Sequence, residues 1–335
     1  MKKLIILLLA VLMAIIPVSA CAPEEKAPIG MAVEFMDHAA CAYIAQDMGW
    51  YEDEGLELTA YDSYVTGMAL AAALGRDEIG VAYICLVPAI NVYANAGVPI
   101  KIVAGTHKYG YGLVVNPDRI QTVYDLEDPD IRIGCVREGG AVDVLLHKTI
   151  DEYGLDETKV IDNIQRMNPP KIVLSIGLGQ LDAAFLPEQW ATMAEDYGFE
   201  MLLMSQDIWP DMQGSVLVVK QDLLDNQPEV VERLIRVSQR ATDWANGHMP
   251  EAAEIMARQL QIAGGDIIPE ALGESSCSLE ITAEALLRSM ERLDYTLSID
   301  PEVVQQMIDY LAELGYIASS FDASEILDLR FIDAE

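Results

Sequence analysis

Short apolar runs typical of β-strands alternate with helical patterns along most of the chain, and this alternation constrains the fold more than any other feature. The pattern predicts strands at residues 31–35, 56–60, 79–84 and 100–104, separated by helices at 39–49, 66–74 and 87–96. Strands joined by helices of this length need crossover connections, which are right-handed and produce a mostly parallel sheet covered on both faces. The sequence therefore predicts an α/β fold.

A second α/β series follows the first, and a purely helical region follows both. The second series predicts strands at 113–116, 131–136, 160–164, 183–186, 201–204 and 216–220, with helices at 141–153, 170–178 and 189–197. Four amphipathic helices are then predicted, at 229–246, 251–263, 282–293 and 302–314. The last has Asp300 as N-cap and Pro301 at its first position. Two α/β series followed by packing helices predict two lobes with a cleft between them.

Charge and composition exclude several classes of protein. The 335 residues include 54 acidic and 21 basic side chains, a formal net charge of −33. Phosphates would be repelled by such a chain, so we expect no nucleic-acid partner. Hydrophobic residues make up 52% of the chain, which excludes a disordered acidic protein.

The N-terminal segment has the pattern of an export signal. Lys2 and Lys3 precede an apolar stretch at 4–18, which is shorter than the roughly 20 residues that span a bilayer. The sequence Val-Ser-Ala-Cys at 18–21 is similar to a lipobox, so we predict a signal peptide at 1–20, lipidation of Cys21 and a tether at 21–27. An ordinary secretory signal with a chance cysteine is the alternative. Either predicts an extracytoplasmic protein, and the lipobox predicts one anchored to the outer face of the membrane.

The remaining cysteines do not predict a metal site, and the sequence contains none of the common catalytic motifs. Cys41, Cys85, Cys135 and Cys277 form no CxxC pair and show no zinc-finger spacing. We therefore expect buried free thiols and no metal or cofactor. The sequence also contains no HExxH, no phosphate-binding loop and no G-x-S-x-G motif, so we expect a binding protein rather than an enzyme.

Four segments, in order, resemble one family. They are residues 38–58 (HAACAYIAQDMGWYEDEGLEL), 82–83 with 96–104 (AGVPIKIVA), Leu126 with 131–134 (IRIG), and 178–184 (LGQLDAA). This chain resembles the substrate-binding proteins of ABC importers that take nitrate, sulfonates, taurine or thiamine-precursor pyrimidines. Residues 127–130 depart from the family pattern, because they replace its usual Lys-Gly turn.

The resemblance implies a two-lobed type II periplasmic-binding-protein fold. Lobe 1 would comprise 28–112 and 217–335, lobe 2 would comprise 113–216, and crossovers would lie near 112–116 and 213–219. A small ligand would bind between the lobes, and the closed protein, expected to be a monomer, would meet an ABC permease and its ATPase. There are two alternatives. One is an enzyme of the same fold that makes pyrimidine or menaquinone precursors, and the other is a ligand-sensing lipoprotein.

Candidate ligand contacts in the first lobe follow its strands, because ligands in open α/β sheets lie beyond the carboxyl ends of strands. Each has an ordinary structural alternative, such as capping for His38 and Thr66 or core packing for Tyr83. These candidates are Asp37, His38, Tyr61, Ser63, Thr66, Tyr83, His107 and Tyr109.

In the second lobe, Gly139 and Gly140 precede a predicted helix and suit an anion, with Arg137 supplying charge. A surface pair between Arg137 and Glu138 is the alternative. Glu188 and Trp190 follow another strand, where they would accept from an amino group and stack on a ring. The helix N-termini favour an anion, whereas the aromatic residues with Glu188 favour an amino-heterocycle, and we slightly prefer the anion.

Overall fold

Ten strands and fourteen α-helices make up the regular structure of the computed structural model, which describes residues 26–76, 79–272 and 279–332. The strands are β1 (Ala27–Glu34), β2 (Leu56–Tyr64), β3 (Val81–Cys85), β4 (Ile100–Gly105), β5 (Tyr111–Val115), β6 (Ile133–Cys135), β7 (Ile164–Arg166), β8 (Ala183–Pro187), β9 (Glu200–Met204) and β10 (Ser215–Lys220). The predicted lipidation site at Cys21 and the thiol of Cys277 lie outside the described residues.

The helices connect the strands and then continue alone after β10. They are α1 (Ala40–Asp47), α2 (Trp50–Asp53), α3 (Gly67–Leu74), α4 (Leu86–Ala96), α5 (Ala141–Tyr153), α6 (Glu157–Asp162), α7 (Pro169–Gly177), α8 (Glu188–Glu195), α9 (Ser205–Ile208), α10 (Gln221–Asn226), α11 (Pro228–Gly247), α12 (Met249–Leu272), α13 (Ala283–Met290) and α14 (Pro301–Glu313). In the described part of the chain, none of these helices has the length and apolar character needed to cross a bilayer.

The strands form two five-stranded sheets, ordered β2-β1-β3-β10-β4 and β7-β6-β8-β5-β9. In each sheet one strand runs against its neighbours: β10 in the first and β5 in the second. The central strands β3 and β8 are buried along their whole length, which explains their continuous apolar sequences. The prediction of two α/β lobes with mostly parallel sheets is confirmed.

Two short segments carry the chain between the sheets. The first lies between Gly105 and Tyr111, and the second between Met204 and Ser215. They run side by side, with an antiparallel bridge from Lys108 to Gln213. The predicted lobe boundaries at 112 and 216 therefore fall inside β5 and β10, because each reversed strand begins directly after its crossover.

The helices after β10 contact both lobes. Helix α11 packs on α1 of the first lobe, whereas α12 also touches α7 and α13 packs on α8. Polar contacts follow the same path, since Ser289 donates to Asp37 and Arg292 contacts Glu188 in the second lobe. The C-terminal region thus joins the lobes on one side, rather than extending lobe 1 alone.

One predicted element has the wrong type. Residues 160–164 were expected to form a strand, but Glu157–Asp162 is a helix and the strand is Ile164–Arg166. The Asp156 side chain accepts a hydrogen bond from Lys159 N, which caps the helix and favours it over a strand. This shift places Arg166 at the end of a strand.

Candidate functional site

A cavity of about 640 Å³ lies between the lobes at the carboxyl ends of several strands. The first lobe contributes β1, β3 and the start of α3, and the second lobe contributes the starts of α5 and α7. The lining is largely apolar, with Met36, Val65, Pro88, Met167 and Pro187 among its side chains. Such a mixed surface suits a small molecule with both an apolar and a charged part.

Three helices begin at this cavity. Thr66 caps α3 by accepting from Ala69 N, and Asn168 caps α7 by accepting from Lys171 N. Helix α5 follows Gly140, which has no side chain with which to cap it. The first turns of α3 and α5 carry unsatisfied N–H groups and a partial positive charge, whereas α7 begins with two prolines, which have no N–H. The N–H groups that suit an anion are therefore those of α3 and α5, one helix from each lobe.

Two arginines lie on the second-lobe side of the cavity, together with the exposed carboxylate of Glu138. Arg137 is exposed, and across the described residues its guanidinium makes no hydrogen bond or ion pair. Arg166 is held in place, since its Nη1 donates to Val136 O at 2.8 Å and lies 2.5 Å from Asp143 Oδ1. One guanidinium is thus fixed at the wall and the other is available to a ligand.

The floor of the cavity is formed by Glu34, Cys85 and Tyr111. Glu34 Oε2 accepts hydrogen bonds from Cys85 Sγ at 3.1 Å and from Ser215 Oγ at 3.0 Å, whereas Oε1 is buried without a partner. Burial raises the pKa of the Glu34 carboxyl. Gly67 allows the carboxylate to lie against the start of α3, because a Cβ there would be 2.7 Å from Oε1.

His38 lies directly behind this floor. Its Nε2 donates to Gly110 O at 2.8 Å, and its Nδ1 lies 3.9 Å from Cys85 Sγ. Gly110 has a φ of +89°, and a Cβ there would come within 2.7 Å of His38 Nε2, so glycine is required for this contact. Burial lowers the pKa of His38 well below its usual value, which keeps the ring neutral. His38 does not line the cavity directly.

Asp37 and Glu188 lie at the junction of the lobes, outside the cavity lining. Ser289 donates to Asp37, and Arg292 Nη1 donates to Glu188 Oε1 at 2.9 Å. Burial raises the pKa of each carboxyl to about 7. Both acids were expected beside the ligand, but each pairs with a side chain of the C-terminal region, whose position the strand pattern does not reveal.

The predicted aromatic contacts are mostly core residues. Tyr83 is fully buried and its hydroxyl lies 2.7 Å from Ser238 Oγ, beneath α11. Tyr61 packs edge-on against Tyr43, whose hydroxyl lies 2.9 Å from Ser63 Oγ. These side chains lie on the side of the first sheet that α1 and α11 cover, so they do not reach the cavity.

Trp190, His107 and Tyr109 also lie outside the cavity lining. Trp190 is buried in the core against Phe35, with ring centroids 6.3 Å apart. His107 accepts from Ser215 N at 3.2 Å and so fastens the two crossover segments together. Tyr109 lies in the first crossover with a φ of 65°.

Of the predicted residues, Thr66, Arg137 and Gly140 line the cavity, whereas Gly139 lines a smaller neighbouring one. Sequence reasoning missed Glu34, Cys85 and Arg166. A single acidic residue at the end of an apolar strand was an available signal for Glu34. Arg166 was missed because its strand was placed too early.

Solved structures show the same fold in other proteins. The ligand-binding component of an ABC-type import system from Staphylococcus aureus, solved with zinc bound, superposes with a TM-score of 0.74 at 15% identity, covering 91% of this chain and 98% of that one. The alkanesulfonate-binding protein SsuA from Xanthomonas axonopodis pv. citri, bound to MOPS, gives 0.73 at 13% identity, covering 91% and 99%. The chain thus has the two-lobed periplasmic-binding-protein fold.

Sequence comparison gives the family. A protein of Brucella abortus is 26% identical to this chain over 297 residues. The match covers 86% of this chain and 87% of that protein, which is named only as a provisional binding protein. The model of the NMT1-like family matches residues 22–261, which is most of the chain. With its two lobes and the cavity between them, the chain therefore belongs to the NMT1-like family.

Proposed function

We propose that this protein is the solute-binding component of an ABC importer and that it captures a small organic anion between its lobes. One observation carries the proposal: the N-termini of α3 and α5, one from each lobe, and the guanidinium of Arg137 converge on a single cavity that both lobes line. Anions bind at helix N-termini because the backbone N–H groups there lack partners. The proposal therefore rests on these local donors and not on the net charge of the chain.

Contact with both lobes gives the solute a means to change the conformation. A ligand shifts an equilibrium only by its differential affinity for the two states. Thr66 lies on one lobe and Arg137 on the other, so a bound anion gains both sets of contacts only when the lobes are close. The closed form is then the one that a permease and its ATPase receive.

The apolar lining favours an organic sulfonate over a bare inorganic anion. Nitrate would fill only a small part of a cavity of about 640 Å³, whereas an alkyl tail would cover Met36, Val65 and Pro88. Burying apolar surface contributes about 25 cal/mol per Å². Glu34 does not oppose the anion as an ordinary carboxylate would, because burial raises its pKa and favours the neutral form.

The cellular setting is part of the proposal. The basic pair, the apolar stretch and the cysteine at position 21 support an extracytoplasmic protein held at the membrane by a lipid. The importers named among its structural relatives support the same setting. We propose binding and no catalytic activity, because burial raises the pKa of the Cys85 thiol well above its usual value and so disfavours the thiolate nucleophile.

A thermal-shift screen of the purified protein tests this function. The panel contains hexanesulfonate, ethanesulfonate, taurine, nitrate and an aminopyrimidine, each against a sodium chloride control. A solute at about 100 times its Kd adds roughly 2.7 kcal/mol to the free energy of unfolding. We expect hexanesulfonate to give the largest shift. A shift with the aminopyrimidine alone would contradict the anion, and no shift with any compound would contradict the proposed solute class.

A further inference from the structure

We propose that Glu34, His38 and Cys85 form a binding site for a divalent transition-metal cation, of the zinc type, at the floor of the cavity. One carboxylate oxygen, one ring nitrogen and one sulfur of these buried residues lie within 4.8 Å of one another. The site shares the cavity of the proposed function, but metal binding is measurable without any solute.

The donor atoms and their spacing suit a zinc-type cation. Cys85 Sγ lies 3.1 Å from Glu34 Oε2 and 3.9 Å from His38 Nδ1. Tetrahedral zinc with bonds of about 2.0–2.3 Å places neighbouring ligand atoms about 3.3–3.6 Å apart. The two distances to Cys85 Sγ differ from these values by a few tenths of an ångström, and the third separation, between the carboxylate oxygen and the ring nitrogen, is at most 4.8 Å, so a change of up to about 1.5 Å brings all three atoms onto one ion. Mg²⁺ and Ca²⁺ are excluded by the sulfur and nitrogen, since both prefer oxygen ligands.

His38 already has the tautomer and orientation of a metal ligand. Its Nε2 carries the proton, because it donates to the carbonyl oxygen of Gly110. In a neutral imidazole Nδ1 then bears the free electron pair, and this atom is the one that faces Cys85. Histidines that bind metals characteristically donate their other N–H to a carbonyl or carboxylate in this way.

Glu34 has unused binding capacity and a supporting contact. Its side chain is fully buried, Oε1 has no partner, and Ser215 Oγ donates to Oε2 at 3.0 Å. An unpartnered buried carboxylate oxygen is costly unless something binds it. A thiolate and a carboxylate together carry two negative charges, which a divalent cation neutralises, so the loaded site is buried without net charge.

The site is open on one side. Glu34 and Cys85 line the cavity, whereas His38 lies behind them. Three protein ligands leave the fourth tetrahedral position directed towards the cavity, where water or a donor atom of the solute completes the shell. Zinc sites of this open type bind exogenous ligands, unlike closed structural sites.

Cobalt(II) titration of the chelator-treated, reduced protein tests the site. We expect one equivalent to produce a thiolate-to-cobalt charge-transfer band and intense visible absorption from tetrahedral geometry, both abolished by stoichiometric Zn²⁺. Cys85→Ser should lose the charge-transfer band and weaken Zn²⁺ binding at least about tenfold. His38→Gln should weaken Zn²⁺ binding while keeping the thiolate band, which separates ligand loss from misfolding.

Cys41→Ala is the matched control, because Cys41 is another buried thiol and lies on α1, outside the cavity lining. It should leave the cobalt spectrum and the zinc affinity unchanged. A wild-type titration without the charge-transfer band would overturn the proposal, and so would a Cys85→Ser variant that keeps the band. Repeating the sulfonate screen with chelator present separates the two proposals, because solute binding alone would leave the proposed function standing.

Discussion

Arg166 and Asp143 form an ion pair at the wall of the cavity, with Arg166 Nη1 2.5 Å from Asp143 Oδ1. Asp143 is fully buried, and its other oxygen accepts from Gly139 N at 3.0 Å and from the Tyr316 hydroxyl. A single carboxylate therefore fixes an arginine of the cavity, the loop before α5 and a residue of the C-terminal region.

Removing the negative charge of Asp143 should destabilise the protein. Asp143→Asn leaves Arg166, whose side chain is 27% exposed, without its anion, and we expect a loss of about 2–4 kcal/mol in the free energy of unfolding. Urea denaturation measures this loss. Asp130→Asn is the control, because that acid is exposed, and its change should stay within about 0.5 kcal/mol. Equal effects of the two variants would contradict the role assigned to Asp143.

Arg137 should contribute directly to anion affinity. A hydrogen bond to a charged group contributes about 1.5–3 kcal/mol, so Arg137→Ala should raise the Kd for a sulfonate roughly 10- to 100-fold. Isothermal titration calorimetry gives the Kd. Arg236→Ala removes the same charge from an exposed arginine that pairs with Glu54 and Glu232 outside the cavity lining. If both variants bind the sulfonate equally well, Arg137 does not contact it.

Arg292 should stabilise the lobe junction in a pH-dependent manner. Arg292→Met leaves the buried Glu188 without its cation, and the folded-state pKa of this carboxyl, already raised to about 7, should rise further above its unfolded value. A group with a raised folded pKa contributes stability below its unfolded pKa and loses it as pH rises. The variant should therefore be close to wild type near pH 5 and lose up to about 1.4 kcal/mol near pH 8, because one pH unit above a pKa of about 7 corresponds to about 1.4 kcal/mol.

Chemical denaturation across this pH range measures the effect of Arg292→Met. The double variant Glu188→Gln with Arg292→Met should recover most of the loss at pH 8, because no buried charge then remains at the pair. A loss that is independent of pH would show that the arginine acts through packing alone.

Gly67 should be intolerant of a side chain. A Cβ at this position would lie 2.6 Å from Pro88 Cγ and 2.7 Å from Glu34 Oε1, so Gly67→Ala should cost about 1–3 kcal/mol through overpacking. Gly247→Ala is the matched control at the end of α11, where a Cβ meets nothing within 4 Å. It should be neutral or stabilise by up to about 1 kcal/mol.

Equal effects of the two glycine substitutions in urea denaturation would contradict the close approach at Gly67. The cobalt titration adds a second measurement, because a displaced Glu34 should weaken metal binding in Gly67→Ala and leave it unchanged in Gly247→Ala.

Local sequence patterns were sufficient to predict most of the helices and strands and the fold class. Helix α5 was predicted with its observed bounds, Asp300 was predicted as an N-cap, and capping was the structural alternative given for Thr66. These features depend on residues only a few positions apart, so a window of sequence contains the information. The strand at 160–164 was wrong because the apolar residues there are ambiguous and the cap at Asp156 decides for a helix.

The residues that line the cavity could not be predicted from local sequence patterns, because they are brought together by contacts between distant parts of the chain. Cys85 lies 51 positions after Glu34 in the sequence, and Ser215 lies 181 positions after it. These residues meet only because β1, β3 and β10 are neighbours in one sheet. Asp37 and Glu188 were expected at the ligand but are covered by Ser289 and Arg292.

The sequence by itself determined the alternation of strands and helices, the acidic charge and the family, since each is a property of composition or of short segments. The tertiary structure decided which strand ends face the cavity and which face the C-terminal helices. The physical reason is burial. Two acidic residues that each follow a strand look alike in the sequence, but their roles differ because distant side chains cover one and leave the other facing the cavity.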